Sequence, residues 1–320
     1  IYTDGLKIYT TIDSRMQAYA EEATQAHISS LQEDFYRHWE GYEHAPFPED
    51  MDSLQKIQVM ELAIKRSVRY KRLKSQKKSD EEIEKIFNTK TEMQLFSWQG
   101  KIDTLLSPKD SILYSKYFLH SGLMSMEPST GHVKAYVGGI NYENFQYDHV
   151  TSGKRQVGST FKPFLYSLAI QEGYSHCFQV PNVPVVFDKY KWRLEKDWTP
   201  KNSGGEDLEG LTLTLKYGLA NSINTVTAYI MKQFGPYAVV DLARKMGVKS
   251  KILAVPSLCL GTFDLSVYEM VGAYSTFANK GVWTEPIFIN KITDKNGVVL
   301  ENFSPKTQEA MSQNTADIMI

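Results

Sequence analysis

Asn296-Gly297 sits between two alternating runs within residues 287–303, and a third such run, residues 6–12, lies near the opposite end of the chain. Asn-Gly is a strong hairpin signal because both residues tolerate the positive φ of a tight two-residue turn. Period-two alternation predicts strands on either side of it and another over residues 6–12. Residues 123–139 read as a further hairpin, with Pro128-Ser129-Thr130-Gly131 as its turn. Between Ser159 and Gly281 helical spacing dominates. Strands at both ends with helices between them predict an α+β layered domain, one antiparallel sheet covered by helices.

Local signals place the helix boundaries. Asp13 is positioned to cap a helix over about residues 16–39, and Pro46 and Pro48 interrupt the pattern that follows. Ser79-Asp80-Glu81-Glu82 and Ser266-Val267-Tyr268-Glu269 are capping boxes, and Gly281 suits the residue after a helix end. Residues 211–221 read as helix-like, and a second helix is predicted to end at Gly235-Pro236. Residues 53–96 are densely charged. Lys65, Arg66, Arg69, Lys71, Arg72, Lys74, Lys77 and Lys78 form a basic run, read as a solvated helical face beside an acidic one.

Composition narrows the function classes. A net charge of −1 gives no global field for nucleic acid. No apolar run is long enough to span a bilayer. Two cysteines, Cys177 and Cys259, are too few for a disulfide framework and read as small buried apolar groups. The histidines lack metal-site spacing, and no phosphate-binding glycine loop is present.

Two polar motifs interrupt the apolar helical region. Ser159-Thr160-Phe161-Lys162 precedes apolar residues at helical spacing, Phe164, Leu165, Leu168 and Ala169. The serine therefore lies at or near a helix start, with the lysine one turn further on and on the same face. A serine hydroxyl is a weak nucleophile until a neighbouring base takes its proton. Lysine becomes such a base when burial or a nearby cation lowers its pKa. A helix start also offers N–H groups and a positive dipole end to a developing oxyanion. The second motif, Ser222-Ile223-Asn224, lies between two apolar stretches and is well placed to face a cleft. Each motif has a plainer reading: a serine cap followed by a surface lysine, and Asn221, Ser222 or Asn224 capping the next helix.

S-x-x-K followed by S-x-N resembles the active-site motifs of penicillin-binding proteins and serine β-lactamases. Residues 122–139 resemble the strand–turn–strand that opens the transpeptidase domain of class A penicillin-binding proteins. Trp198-Thr199-Pro200-Lys201-Asn202 and Leu211-Thr212-Leu213 resemble the segment before their second motif, and residues 269–281 a late helix of that domain. Residues 5–13 are similar to the strand by which it leaves its upstream partner. The resemblance covers about residues 1–25 and 95–320 in the family's order. Arg155-Gln156-Val157-Gly158-Ser159 most resembles Bacteroidota-type sequences. The third motif of the family, K-T-G, is not found, and Leu260-Gly261-Thr262 is a decoy with no lysine before its glycine. Glu33-Asp34-Phe35-Tyr36-Arg37-His38 has the wrong spacing for the glycosyltransferase motif and reads as surface helix.

The resemblance implies the following expectations. The fold is the penicillin-binding transpeptidase or serine β-lactamase-like fold, incomplete at its C-terminal side. Residues 1–120 are a linker and lineage-specific, mostly helical region, and residues 121–320 the transpeptidase domain. The substrate is the peptidoglycan stem peptide ending in D-Ala-D-Ala, carried on a lipid-linked precursor, and β-lactams acylate the same serine. Ser159 is the nucleophile and Lys162 its general base. Ser222 relays a proton to the leaving amine, and Asn224 holds the donor peptide and orients Lys162. No cofactor or metal is required, and nucleic acid is not a partner. The parent is anchored upstream of this chain, at the periplasmic face of the inner membrane. Lacking the K-T-G segment, a fragment ending at Ile320 is expected to have an open sheet edge and to acylate slowly. The alternatives are a D,D-carboxypeptidase or β-lactamase-like hydrolase, and an inactive binding fragment.

Overall fold

The computed structural model describes residues 4–204 and 208–320. In chain order its elements begin with β1 (Lys7–Thr10), α1 (Ser14–Trp39), α2 (Ser53–Arg66), α3 (Val68–Ser75) and α4 (Asp80–Asn88). Then come β2 (Thr91–Ser97), β3 (Gly100–Leu106), α5 (Pro108–Ser115), β4 (Leu123–Met126), β5 (Val133–Val137) and β6 (Lys154–Gln156). A 3-10 turn, Gly158–Phe161, leads directly into α6 (Lys162–Gln171). β7 (Gln179–Pro181), α7 (Lys189–Trp192), β8 (Thr212–Thr214), α8 (Leu215–Ala220) and α9 (Asn224–Lys245) follow. The chain continues through β9 (Asp264–Ser266), α10 (Val267–Ala278), β10 (Val282–Thr284), β11 (Ile289–Thr293), β12 (Val299–Asn302), β13 (Thr307–Glu309) and α11 (Gln313–Met319).

Contacts divide the chain into two units: Ile1–Glu21 with Gly122–Gly139 and Gln146–Ile320, and Glu22–Ser121 with Ile140–Phe145. β1 belongs to the larger unit, although it lies in the stretch 1–120 that the sequence assigns to a leading region. The cause is pairing: β1 runs antiparallel to β11, which pairs with β12 through the predicted Asn296-Gly297 turn. Thr11 extends this sheet toward the β4–β5 hairpin. Its hydroxyl donates to the Val133 carbonyl at 2.7 Å and its N–H to the Phe288 carbonyl at 2.9 Å. Gly131 closes the β4–β5 turn at φ +71, where a β-carbon would collide with the Glu285 carbonyl.

Helices fill the core of this unit. The apolar stripe predicted for α6 is buried throughout: Phe161, Phe164, Leu165 and Ala169 are at 0% exposure. It packs against Val226, Ala228 and Met231 of α9 and Ala273 and Phe277 of α10. Each large apolar side chain so buried contributes about 1.5–3 kcal/mol, which rigidifies the start of α6. Two local expectations need correction. Residues 211–221 are not one helix, because Leu211-Thr212-Leu213-Thr214-Leu215 alternates with period two. β8 therefore pairs with β7 before α8 begins. The helix predicted to end at Gly235-Pro236 breaks there, with Gly235 at φ +76, but resumes to Lys245. Pro236 lacks only an N–H that a new first turn does not use.

The smaller unit holds α2–α5 and the β2–β3 hairpin, which pairs in register from Thr91↔Leu106 to Ser97↔Gly100. Leu73, Ile83 and Phe87 form its buried cluster, with Ile64, Tyr70 and Ile112 packed around them. Gln32 is fully buried, and its amide is satisfied at both ends by the Tyr117 carbonyl and the Leu119 N–H, each at 2.8 Å. Much of the predicted basic run is exposed, with Lys65, Lys74 and Lys78 paired to Glu61, Asp80 and Glu82. No described helix is long and apolar enough to cross a membrane.

Candidate active site

The turn that carries Ser159 is held by backbone contacts on its N-terminal side. β6 pairs with β9, and the Val157 N–H then donates to the Phe263 carbonyl at 3.1 Å. Gly158 follows at φ +55, its N–H donating to the Gly261 carbonyl at 3.0 Å. The Thr160 hydroxyl donates to the Val157 carbonyl at 2.6 Å, and the Tyr274 hydroxyl donates to the Thr160 carbonyl at 2.5 Å. Phe161 anchors the turn inward, stacked on Phe164 at 4.5 Å and edge-on to Phe263 at 4.7 Å. Ser159 is left exposed on the outer side of this turn.

Lys162 begins α6 and is buried, at 1% exposure. An ammonium has three donors and no acceptor. All three find partners on the second motif: the Ser222 carbonyl at 2.7 Å, the Ser222 hydroxyl at 2.9 Å and Asn224 Oδ1 at 2.6 Å. Burial lowers the Lys162 pKa to about 8, outweighing an opposing effect of Cys259. Cys259 is itself fully buried, and burial pushes its thiol up to about 12. That matches the apolar role read from the sequence for Cys259, whereas Cys177, read the same way, is exposed.

Ser222 presents two oxygens to one ammonium because its backbone is left-handed, at φ +55. A non-glycine residue in that region costs on the order of 1–2 kcal/mol. Its N–H is held by the Leu219 carbonyl at 3.0 Å, and the next N–H, of Ile223, by the Gly218 carbonyl at 2.8 Å. Gly218 lets α8 approach this closely, since a β-carbon there would sit 2.7 Å from Val226. Asn224 opens α9, and its Nδ2 donates to the Lys201 carbonyl at 2.7 Å.

The structure thus brings Lys162, Ser222 and Asn224 into direct contact, across 60 and 62 residues of chain. Ser159 is one helical turn from Lys162, but its hydroxyl is not among the hydrogen-bond partners of that ammonium. A lysine that spends three protons on three acceptors has no lone pair to offer. Loss of one proton would create it, and the lowered pKa makes that loss accessible near neutrality. Leu260-Gly261-Thr262, a decoy as a third motif, underlies the Ser159 turn instead. Gly261 sits at φ +67, and a β-carbon there would meet the Gly158 carbonyl oxygen at 2.1 Å. Neither Gly261 nor Tyr274 was singled out from the sequence as part of the site. A lone glycine and a tyrosine within a helix carry no local mark of a partner far along the chain.

The α+β core, the serine turn and the buried lysine bound to S-x-N define the penicillin-binding transpeptidase fold. A family model described as the penicillin binding protein transpeptidase domain matches residues 122–319, and one described as the penicillin-binding protein middle domain matches residues 42–119. The chain belongs to the penicillin-binding protein transpeptidase family. Among curated relatives, Penicillin-binding protein 1A of Aquifex aeolicus is 30% identical over 97% of this chain and 42% of its own length. Penicillin-binding protein 1A of Pseudomonas aeruginosa is 34% identical over 62% of this chain and 24% of its own length. The chain thus spans less than half the length of these relatives. Of solved structures, Penicillin-Binding Protein 1A from Haemophilus influenzae covers 95% of this chain and 47% of its own, with TM-score 0.62 at 23% identity. PonA1 from Mycobacterium tuberculosis covers 99% and 61%, with TM-score 0.57 at 20% identity. At these identities the two structures speak for the fold.

Proposed function

We propose that this chain carries the acyl-transfer site of a serine D,D-transpeptidase that cross-links peptidoglycan stem peptides and is acylated by β-lactams. The observation that carries the reading is the buried Lys162, one turn from an exposed Ser159 and bonded to both polar residues of the second motif. Ser159 Oγ attacks the penultimate carbonyl of a D-Ala-D-Ala stem while neutral Lys162 accepts its proton. The Ser159 N–H contributes to the oxyanion site at the start of the turn. Ser222, bonded to Lys162, returns a proton to the departing D-Ala amine, and the C–N bond breaks to leave an ester on Ser159. The amine of a neighbouring stem then attacks that ester, forming the cross-link and restoring the serine. Asn224 holds Lys162 in place and offers its amide to the donor backbone.

We assign this activity to residues 121–320, with β1 paired into the same unit, and read the rest of residues 1–120 as the region that leads into it. We place the site at the periplasmic face of the inner membrane, where stem peptides on lipid-linked precursors are available. The relatives named Penicillin-binding protein 1A and the family match support that placement.

The test is labelling of the natural gene product with fluorescent penicillin, with the modified peptide identified by mass spectrometry. The label is expected on Ser159 and absent from Ser159→Ala. Label at another residue, or none, would falsify the assignment. Release of D-Ala that depends on an added amine acceptor separates a transpeptidase from a hydrolase of the same fold.

A further inference from the structure

Helix α9 carries Asn224 at its first position and has no cap of its own. Its N-cap residue is Ile223, which offers no side-chain acceptor and is buried at 6% exposure. Ser222, one residue earlier, is committed to Lys162. The first N–H groups of a helix have no intrahelical partner and must find one elsewhere.

They find it 22 residues upstream, in Asn202. Asn202 Oδ1 accepts from the N–H of Asn224 at 2.8 Å and from that of Thr225 at 3.2 Å. The other end of the same amide donates to Asn182 Oδ1 at 3.2 Å. Asn182 is 1% exposed and donates in turn to the Leu208 carbonyl at 2.7 Å. The Thr225 hydroxyl donates to Asn182 Oδ1 and closes the cluster. Next to Asn202 in the chain, the Lys201 carbonyl accepts from Asn224 Nδ2 at 2.7 Å. An amide gripped by its nitrogen turns its oxygen outward, and Asn224 Oδ1 is the atom that binds Lys162 Nζ at 2.6 Å. Flipped by 180°, Asn224 would present an N–H to an ammonium and lose both bonds.

We propose that Asn202 is a positioning residue for acyl transfer: it caps α9 from outside the helix and, with the Lys201 carbonyl beside it, decides which end of the Asn224 amide faces Lys162. The inference rests on the serine acyl-transfer reading of Ser159 and Lys162. Asn202 touches no reacting atom in this scheme. It acts through Asn224, and its effect falls on the chemical step rather than on encounter with the acyl donor.

The experiment compares Asn202→Ala and Asn202→Asp with the unaltered natural gene product, following penicillin acylation of Ser159 from about pH 6 to about pH 10. Asn202→Ala is expected to slow the first-order acylation step by about ten- to a hundredfold, with little change in the half-saturating concentration, because small misplacements cost this much. Its acid limb should move to lower pH, since Lys162 loses an aligned acceptor for its charged form. Asn202→Asp keeps the acceptor at a helix start, where a carboxylate is welcome. It is expected to acylate within about threefold of the unaltered protein. An Asp variant as slow as the Ala variant would assign the effect to the lost donor toward Asn182 and overturn the capping role. If Asn202→Ala fails to fold, Asn202→Asp is judged against the unaltered protein alone, and acylation slowed more than about tenfold overturns the capping role. Unchanged acylation in Asn202→Ala also overturns it, while leaving the Ser159 reading intact. Failure of the unaltered protein to label at Ser159 overturns that reading itself.

Discussion

The N–H of Gly158 donates to the carbonyl of Gly261 at 3.0 Å, and both glycines hold positive φ, +55 and +67. The approach is tight on one side: a β-carbon on Gly261 would fall 2.1 Å from the Gly158 carbonyl oxygen, whereas one on Gly158 would meet nothing within 4 Å. This contact lies directly before Ser159 and therefore sets the start of the turn that carries it. Gly261→Ala is expected to push its β-carbon against the Gly158 carbonyl and move the turn. The outcome should be a destabilisation of about 1–3 kcal/mol, from the strained backbone and the overpacked contact together. Penicillin labelling should slow more than the stability loss explains. Chemical denaturation and acylation kinetics on the same variant check both, and an unperturbed acylation rate would argue against the geometric role.

The pH dependence of acylation follows from Lys162. Its pKa is lowered by burial to about 8, so the neutral, base-competent form is a minority of about a tenth at pH 7. The acylation rate should rise about tenfold per pH unit below that value and level off above it. The stability sign is the same. The unfolded chain, with lysine near its usual 10.5, binds more protons than the folded one between about pH 8 and about pH 10.5. In that window this group makes unfolding less favourable as pH rises, and below it imposes a constant penalty. Lys162→Arg, charged at every working pH, should not acylate at all. A flat profile across pH 6 to pH 8 would remove Lys162 as the base.

Ser222 separates strain from chemistry. Ser222→Ala keeps the left-handed backbone and loses the hydroxyl that Lys162 contacts. Acylation should fall by about 10²–10⁴. Ser222→Gly loses the same hydroxyl but relieves the φ of +55. It should be as inactive as the alanine variant yet more stable than it by about 1 kcal/mol. Urea unfolding of the pair measures the difference, and equal stabilities would mean that the left-handed conformation is not populated.

The two thiols should be told apart by alkylation. Cys177 is exposed, whereas Cys259 is buried with its thiol pushed up to about 12. Because the thiolate is the reactive form, iodoacetamide at mild alkaline pH should modify Cys177 alone in the native protein and both residues in denaturant. Rapid native modification of Cys259, read by peptide mass, would show that the floor beneath Lys162 opens.

Much of the fold was legible because its signals are local. The alternation in residues 6–12 and 287–303, the Asn-Gly turn, the capping boxes at Ser79 and Ser266 and the apolar stripe of α6 are each written within a few residues of chain. They correspond to β1, β11, β12, α4, α10 and α6. The β2–β3 hairpin lies within residues 1–120, which read as mostly helical, and its Trp98-Gln99 turn lacks the Asn-Gly or Asp-Gly mark of a tight hairpin. Residues 211–215 carry leucines that fit either a helical stripe or a strand, and pairing of β8 with β7 decides for the strand.

Within the candidate site, the sequence by itself determined which polar side chains make up the two motifs: Ser159 and Lys162 one turn apart, and Ser222 and Asn224 two apart. The tertiary structure decided how they stand to one another. It turned Ser222 left-handed, placed Asn224 Oδ1 on Lys162, capped α9 with Asn202 and seated Gly158 on Gly261. Helical and strand periodicities arise from local backbone geometry and are visible in any window of the chain. A hydrogen bond across 60 residues, as from Lys162 to Ser222, exists only after α6, α8 and α9 have packed around the buried stripe of Phe161, Phe164 and Leu165. The same packing withdraws water from Lys162 and lowers its pKa, because a charge is costly only where the fold has excluded solvent.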